Sequence, residues 1–395
     1  MKILSLVYEY PPIGGGGAAV ASALNETLVE MGESVEVVTS AMRGLPSEET
    51  VRGVRVHRTA CWRRHRHYTT TLQLATTLLP AYLKAAALIR ERRPDLIHVH
   101  FAFPSGLIAY LLARRFGIAY VLTAHGSDIP GYNPDRFAIP HLLLRALWRR
   151  IVRNAAAVTS PSAFLAGLIR RRINAPIDIV PNGYTPVNHP AMQKRNLVLV
   201  VSRLFPRKGV QHFIESVRRL PGDWEFVVAG DGPYLETLKQ LAQKANVRIR
   251  FIGFVDKTTL AGLYQEARIL VFPSIRENFP MVLLEAMDAG CAVITTDAEG
   301  CAEAVGNAGI VVKAGNAFEI RAALTKLMED PEHRELLSRR ALERARMFRW
   351  VRLAGLYRAV FARVTQPPLA ALPPAAPPAR KQPAKEPRLA GHRVS

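Results

Sequence analysis

Cysteine is scarce in this 395-residue chain, with only Cys61, Cys291 and Cys301 present. Their spacing matches no metal-ligand pattern. The odd number argues against a disulfide framework and fits a reducing cytoplasm. Negative charge is also short: 32 Asp and Glu stand against 53 Lys and Arg, a formal net charge of +21. No uninterrupted run of 18 apolar residues occurs, so no transmembrane helix is expected. The opening MKILSLVYEYPP turns polar too soon for a secretory signal and reads as a first β-strand. The phosphate loop GxxxxGK followed by Ser or Thr is missing, and so is a metal-binding DxD. Nucleic-acid binding is not expected, because no recognised module is present.

Hydrophobic residues make up 49% and charged residues 22%, enough apolar surface for full-sized cores. Short apolar runs alternate with helical stretches, the pattern of parallel sheets covered by helices. In the first half the expected strands are 3–7, 35–39, 54–57, 96–99, 119–123, 156–159 and 177–180, with helices near 18–31, 72–91, 106–116 and 142–153. A turn-rich connector follows, with Pro181-Asn182-Gly183, Pro186 and Pro190. The alternation then restarts, with strands at 197–201, 225–229, 248–252, 269–272, 292–295 and 310–312. The helices between them fall near 209–219, 234–245, 258–266, 281–289 and 317–329. Two such sheets with a hinge predict a cleft, with ligands at the carboxyl ends of the strands. Residues 366–395 hold eight prolines and five Lys or Arg without apolar periodicity, and read as a disordered basic tail.

Several motifs fall at expected strand ends. Gly14 to Gly17 follow the first strand and precede a helix, where a ligand can approach the backbone and the helix N-terminus favours an anion; a flexible turn is the alternative. This loop is not GxGxxG with an acidic residue placed for a dinucleotide ribose. His125-Gly126-Ser127-Asp128 follows the strand at 119–123, so His125 can donate to a sugar hydroxyl or to developing charge, or be structural. In Ser202-Arg203-Leu204-Phe205-Pro206-Arg207-Lys208-Gly209, two cations bracket a loop that suits a departing diphosphate; the alternative is surface charge. Gly230-Asp231-Gly232-Pro233 reads as a tight turn.

The richest segment is 273–287. Pro280 is tolerated only in the first turn of a helix, so Glu277 falls in the loop before it. Glu285 then stands on an apolar helix among Met281, Val282, Leu283, Leu284, Ala286 and Met287. A carboxylate in that setting takes a partner or a ligand, and hydroxyl-rich ligands suit it. The alternatives are a charge placed for the helix dipole at Glu277 and a buried ion pair at Glu285. Eight residues of helical rise put the two acids on the order of 12 Å apart, beyond the usual glycosidase spacing.

The ordered set of glycine loop, HGSD, VPNG, SRLxxxKG, GDGP and Glu-x7-Glu resembles family 4 of the glycosyltransferases, over residues 1–364. The resemblance implies the GT-B fold: α/β, two Rossmann-like domains facing across a cleft. Residues 1–185 would form the acceptor side and 186–346 the nucleotide-sugar side. Residues 347–364 would cross back onto the first domain, where Phe348, Trp350, Leu353, Leu356, Tyr357, Val360 and Phe361 have the apolar spacing for that packing, and 365–395 would be the tail.

By resemblance, Arg203 and Lys208 bind the donor diphosphate and support its departure. Glu285 takes the ribose hydroxyls, Glu277 the transferred sugar, and His125 the sugar near the reaction centre. The backbone from Asn278 through Phe279, Met281 and Val282 holds sugar and phosphate, and Asp128 joins the substrate contacts. Gly15 and Gly16 approach phosphate or acceptor, and Phe254 and Val255 hold the base. Many family members have glycine where Pro280 stands, and proline cannot supply an amide donor. The resemblance also implies retention of anomeric configuration, a UDP- or GDP-sugar as co-substrate, and no metal or other cofactor. Two other functions remain open: a phosphorylase on the same fold, and a non-catalytic nucleotide-sugar or polyanion binder.

The excess positive charge predicts attraction to an anionic partner, and a solvated basic surface is the alternative. Arg52, Arg55, Arg58, Arg63, Arg64, Arg66, Arg90, Arg92 and Arg93 cluster in the first half with Trp62 and Tyr68. Arg145, Arg149, Arg150 and Arg153 with Trp148 form a second cluster. Basic residues interleaved with aromatics suit an anionic membrane face, with a lipid-linked or glycan acceptor at the inner side of the plasma membrane.

Overall fold

The computed structural model describes residues 1–63, 65, 69–132, 142–186, 192–218, 220 and 223–366. Arg64, Arg66, Tyr68, Pro190, Arg219 and the expected tail from 367 onward lie outside the described residues.

Near-continuous apolar strands build two sheets. The first contains β1 (Lys2–Leu6), β2 (Ser34–Ser40), β3 (Glu48–Val51), β4 (Val54–Thr59), β5 (Leu96–His100), β6 (Tyr120–Thr123), β7 (Ala157–Ser160) and β8 (Asp178–Ile179), in spatial order β3-β4-β2-β1-β5-β6-β7-β8. All its pairings are parallel except β3 with β4. The second sheet is wholly parallel, with β9 (Arg195–Val201), β10 (Glu225–Ala229), β11 (Arg250–Gly253), β12 (Ala267–Phe272), β13 (Ala292–Thr296) and β14 (Ile310–Val312) in order β11-β10-β9-β12-β13-β14. In each sheet the order reverses once, between β1 and β5 and between β9 and β12. Crevices open outside the strand ends at such reversals.

The first-half helices include α1 (Gly16–Glu30), the short α2 (Thr71–Ala75), α3 (Leu78–Arg92), α4 (Leu107–Phe116), α5 (Arg145–Asn154) and α6 (Ala163–Arg170). In the second half come α7 (Val210–Ser216), α8 (Leu235–Lys244), α9 (Lys257–Glu266), α10 (Met281–Asp288), α11 (Glu299–Val305), α12 (Ala317–Glu329), α13 (Pro331–Ala345) and α14 (Trp350–Thr365).

Three expectations need correction. The hairpin strand β3 was absent from the sequence reading. Its two-residue turn uses Arg52 and Gly53, both with positive φ (46° and 80°), the geometry that twist-matched hairpins require. The helix expected over 72–91 is divided at Thr76–Thr77, where Thr77 Oγ1 donates to the Leu74 carbonyl. The segment Leu72–Arg92 is nonetheless long and apolar enough to cross a membrane by length and composition, although Gln73 and Lys84 interrupt any strict apolar run. It turns Ala81, Ala85, Ala86, Leu88 and Ile89 into the first core. Helices α6, α11 and α13 were also unforeseen.

The final helix crosses back as expected. Trp350, Leu353, Ala354, Tyr357, Val360 and Phe361 are buried, and α14 packs on α1. Tyr184 and the 348–350 segment exchange backbone hydrogen bonds, and Arg358 Nε donates to Glu33 Oε1 at 2.7 Å. Phe361 is fully buried and meets His98 edge-on, with ring centroids 5.0 Å apart. Phe361→Ala is therefore expected to cost about 3–5 kcal/mol, read by urea unfolding. A loss below about 1 kcal/mol would mean that α14 does not hold together the apolar cluster it shares with α1 and β1.

Candidate functional site

The strand ends at the two reversals face one cleft of about 400 Å³, within the size range of small-molecule sites. The β1–α1 loop contributes Tyr8, Glu9 and Gly15, the start of α1 contributes Gly16 and Gly17, the end of β5 contributes Phe101, and the end of β6 contributes His125 and Ser127. Opposite them stand Arg203, Arg207 and Lys208 after β9, and Glu277 to Val282 and Glu285 after β12. Residues far apart in sequence thus converge because each follows a strand carboxyl end.

The cationic loop bends sharply. Gly209 has φ +71°, and a β-carbon there would lie 1.8 Å from the Pro273 carbonyl oxygen. That close approach sets Lys208 beside the loop carrying Glu277, and Lys208 Nζ donates to Glu277 Oε2. The ammonium also sits 5.6 Å from the centre of the Phe272 ring. Arg203 points toward the glycine loop, its Nη1 3.9 Å from where a β-carbon on Gly15 would be.

The 277–279 loop is fixed from both sides. The Glu277 amide donates to Glu299 Oε2 at 3.2 Å, and the Gly300 amide to the Glu277 carbonyl. Asn278 reaches the other sheet: its Nδ2 donates to the His125 carbonyl at 3.1 Å, and its Oδ1 accepts from Ser162 Oγ at 2.8 Å. Nearby, Glu303 accepts both the Ala163 and Phe164 amides at the start of α6, and Asn182 Nδ2 donates to the Phe279 carbonyl. Helix α10 starts at Met281, with Pro280 extended at φ −82° in the position just before it.

Glu285 is half-buried and accepts from the Tyr264 hydroxyl at 3.2 Å. Desolvation raises its pKa, partly offset by that hydrogen bond. The His125 ring packs against that of Phe101 at a tilt of 33°, with ring centroids 4.4 Å apart. Phe101 holds φ +72°, a strained value for a bulky residue, which turns its ring onto the histidine. Desolvation pushes the His125 pKa down to about 3.

Among the residues expected at the site, Gly15, Gly16, His125, Arg203, Lys208, Glu277, Asn278, Phe279, Met281, Val282 and Glu285 all line the cleft. Three do not. Asp128 is buried, and its carboxylate accepts the Ala102, His125 and Gly126 amides, so it shapes the His125 loop instead of meeting a ligand. Phe254 projects into solvent, 80% exposed, and Val255 is partly buried against the apolar cluster that both halves share. Trp148, expected at a surface, is buried with its indole N–H donating to the Asp128 carbonyl. Sequence reasoning missed Tyr8, Glu9, Phe101, Tyr132 and Arg207 as lining residues, and Ser162, Glu299 and Glu303 as supports. Only Asn182, in the VPNG motif, and Arg207, in the cationic 202–209 motif, had a signal.

Glu285 yields a stability prediction. A carboxyl whose folded pKa is raised favours the fold below its ordinary pKa, and that contribution is lost as pH rises through the folded value. Glu285→Gln is therefore expected to raise the melting temperature at pH 7, with the gain shrinking as pH falls from the raised folded value toward about 4.3, the ordinary glutamate value, and absent below it. Thermal unfolding across pH checks this; a lower melting temperature at pH 7 would contradict the assignment.

Comparison with known proteins agrees with this architecture. The family described as "Glycosyl transferases group 1" matches residues 186–344, and "Glycosyl transferase 4-like domain" matches residues 15–183. The 2-deoxystreptamine glucosyltransferase of Streptomyces kanamyceticus is 28% identical, over 78% of this chain and 88% of its own. Among solved structures, sucrose-phosphate synthase from Thermosynechococcus elongatus superposes with a TM-score of 0.76 at 24% identity, covering 92% of this chain and 99% of that one. Anabaena HepE in complex with UDP gives 0.73 at 19% identity, covering 92% and 100%.

Proposed function

Because this chain belongs to the group 1 glycosyl transferases of GT-B fold, we propose that it moves a hexose or N-acetylhexosamine from a UDP- or GDP-sugar to an acceptor hydroxyl with retention. One observation carries the reading. Arg203, Arg207 and Lys208 on one loop, Glu277 on the loop before α10 and Glu285 on α10 itself face the glycine loop across a single cleft. Cations suit a diphosphate, and carboxylates suit sugar and ribose hydroxyls. The UDP in Anabaena HepE, a protein of the same fold, supports a uridine donor.

In this reading the bond between the anomeric carbon and the diphosphate oxygen breaks, and the acceptor oxygen bonds that carbon on the same face. The acceptor's proton passes to the departing diphosphate oxygen. Arg203 and Lys208 stabilise the charge that develops there, so side-chain cations fill the role a metal fills elsewhere. Glu277 and Glu285 position the sugar and the ribose. The test has two stages. Thermal shift with UDP-, GDP- and ADP-sugars identifies the donor, since a bound donor stabilises the fold. On that donor, Lys208→Ala is expected to slow hydrolysis by about 10²–10³-fold. Equal rates would favour a non-catalytic binding protein.

The acceptor side has its own surface. Leu72, Leu79, Leu83, Leu142 and Leu143 are more than half exposed, Arg145 beside the leucine pair is exposed, and Trp62 is 50% exposed. Apolar side chains beside arginines suit the boundary of an anionic bilayer. This supports a peripheral enzyme at the cytoplasmic face of the plasma membrane, acting on a lipid-linked or glycan acceptor in cell-envelope synthesis. Vesicles containing phosphatidylserine should carry the protein on flotation at low salt and release it at high salt; no association at low salt would rule the surface out.

A further inference from the structure

Three histidines line up behind the cleft. His98 and His100 leave β5 on the same face, and His125 follows β6. The His98 and His100 rings lie 4.3 Å apart, and those of His100 and His125 lie 5.2 Å apart, nearly stacked. His100 Nδ1 and His125 Nε2 are 2.9 Å apart, so one of them donates to the other. His98 and His100 are fully buried, and desolvation holds all three pKa values far below the ordinary value. All three rings are therefore neutral near pH 7, and each carries one proton.

The hydrogen-bond network decides where those protons sit. His100 Nε2 is buried without a partner. If His125 Nε2 donated to His100 Nδ1, His100 would carry its proton on Nε2 and leave a buried N–H orphaned. Orphaned buried N–H groups are the rarer defect, so the opposite arrangement is favoured. His100 then donates through Nδ1 and keeps only a lone pair on Nε2. The same rule fits His98. Its Nδ1 is buried without a partner, and its Nε2 lies 2.8 Å from Thr123 Oγ1. Thr123 Oγ1 is 2.7 Å from Thr159 Oγ1, and both hydroxyls hydrogen-bond Tyr357 of α14.

With Nε2 of His125 accepting from His100, the His125 proton must reside on Nδ1. We propose that His100 is a positioning residue that locks His125 in the Nδ1–H tautomer, so that His125 presents an N–H donor to an oxygen of the ligand in the cleft. His100 touches no ligand itself and acts through His125. Neither the HGSD motif nor charge patterning marks it; only the ring-to-ring distance and the orphaned Nε2 do. The inference rests on the glycosyltransferase reading for its consequence in catalysis, but the tautomer itself does not.

Two measurements separate these. Long-range ¹H–¹⁵N correlation spectra of the full-length, histidine-labelled protein report each tautomer without any donor, with His125→Gln assigning the signal. His125 should be protonated at Nδ1. His100→Phe, which keeps a ring against His98, should shift His125 toward Nε2–H. It should also lower kcat for donor turnover about 100-fold, the low end of an acid–base or donor contribution, with KM little changed. His100→Asn can still donate an amide N–H to His125 Nε2, and should restore both the tautomer and most of kcat. A wild-type His125 protonated at Nε2 would overturn the proposal, as would a tautomer unmoved by His100→Phe. If the tautomers behave as stated but Lys208→Ala hydrolyses donor like wild type, the transferase reading fails and this one survives.

Discussion

The Asn278 carbonyl oxygen occupies the space that a side chain on residue 300 would need. A β-carbon on Gly300 would lie 1.3 Å from that oxygen, so the loop after β12 and the start of α11 can nest only because residue 300 is glycine. Glu277 is held by the same nesting, through its amide on Glu299 and its carbonyl on Gly300. Since Glu277 pairs with Lys208, the cationic loop inherits its position from this contact. Asn278 extends the constraint to the other sheet through Ser162 and the His125 carbonyl. One close backbone approach thus sets the carboxylate, orients the lysine, and ties the two halves at the point where chemistry would occur.

The charges inside this frame are balanced unevenly. Lys208 is nearly buried, with only 9% of its surface exposed, and has Glu277 and the Phe272 face as neighbours. An ammonium has three donors, so pairing with one carboxylate oxygen leaves capacity for a phosphate. Arg203 and Arg207 are exposed on the same loop. In the proposed reaction their guanidinium groups would meet the diphosphate at the cleft entrance and Lys208 would meet it inside. Glu285 stands apart in a desolvated setting with Tyr264. Hydroxyl donors would relieve the cost of holding that carboxylate ionised, which is the electrostatic sense of a ribose contact there.

Most of this was legible in the sequence where local chemistry dictates structure. Period and turn residues marked the parallel strands, Pro280 fixed the helix start to within a residue, and the apolar spacing of 347–364 fits the returning helix that the family resemblance implies. The missed elements have distinct causes. β3 is a short, polar edge strand, EETV, with exposed residues alternating along it, and its turn lacks the usual Asn-Gly signal. Asp128 sits within a recognised motif, but its partners are three backbone amides, which no side-chain pattern reveals. Phe254 has the right place in the chain and the wrong direction in space. Ser162, Glu299, Glu303 and His100 support the site through contacts between distant segments, and such contacts exist only once the sheets are assembled.

Pro280 brings sequence and site together. The first N–H groups of a helix have no partner within it and serve as anion donors. Proline at 280 removes one donor just ahead of α10, so the amides of Met281 and Val282 are the first that the helix can offer. Its ring favours the extended geometry seen at φ −82° and so helps define where α10 begins. The exchange trades a backbone donor for a fixed helix start. With fewer amides facing an anion, more of the neutralisation must come from side chains, and Arg203, Arg207 and Lys208 stand together on the adjoining loop. Backbone amides are neutral dipoles that need no counter-charge, whereas cations must be restrained when no phosphate is near. The Lys208–Glu277 pair supplies that restraint, and this gives Glu277 a second reason to stand where it does.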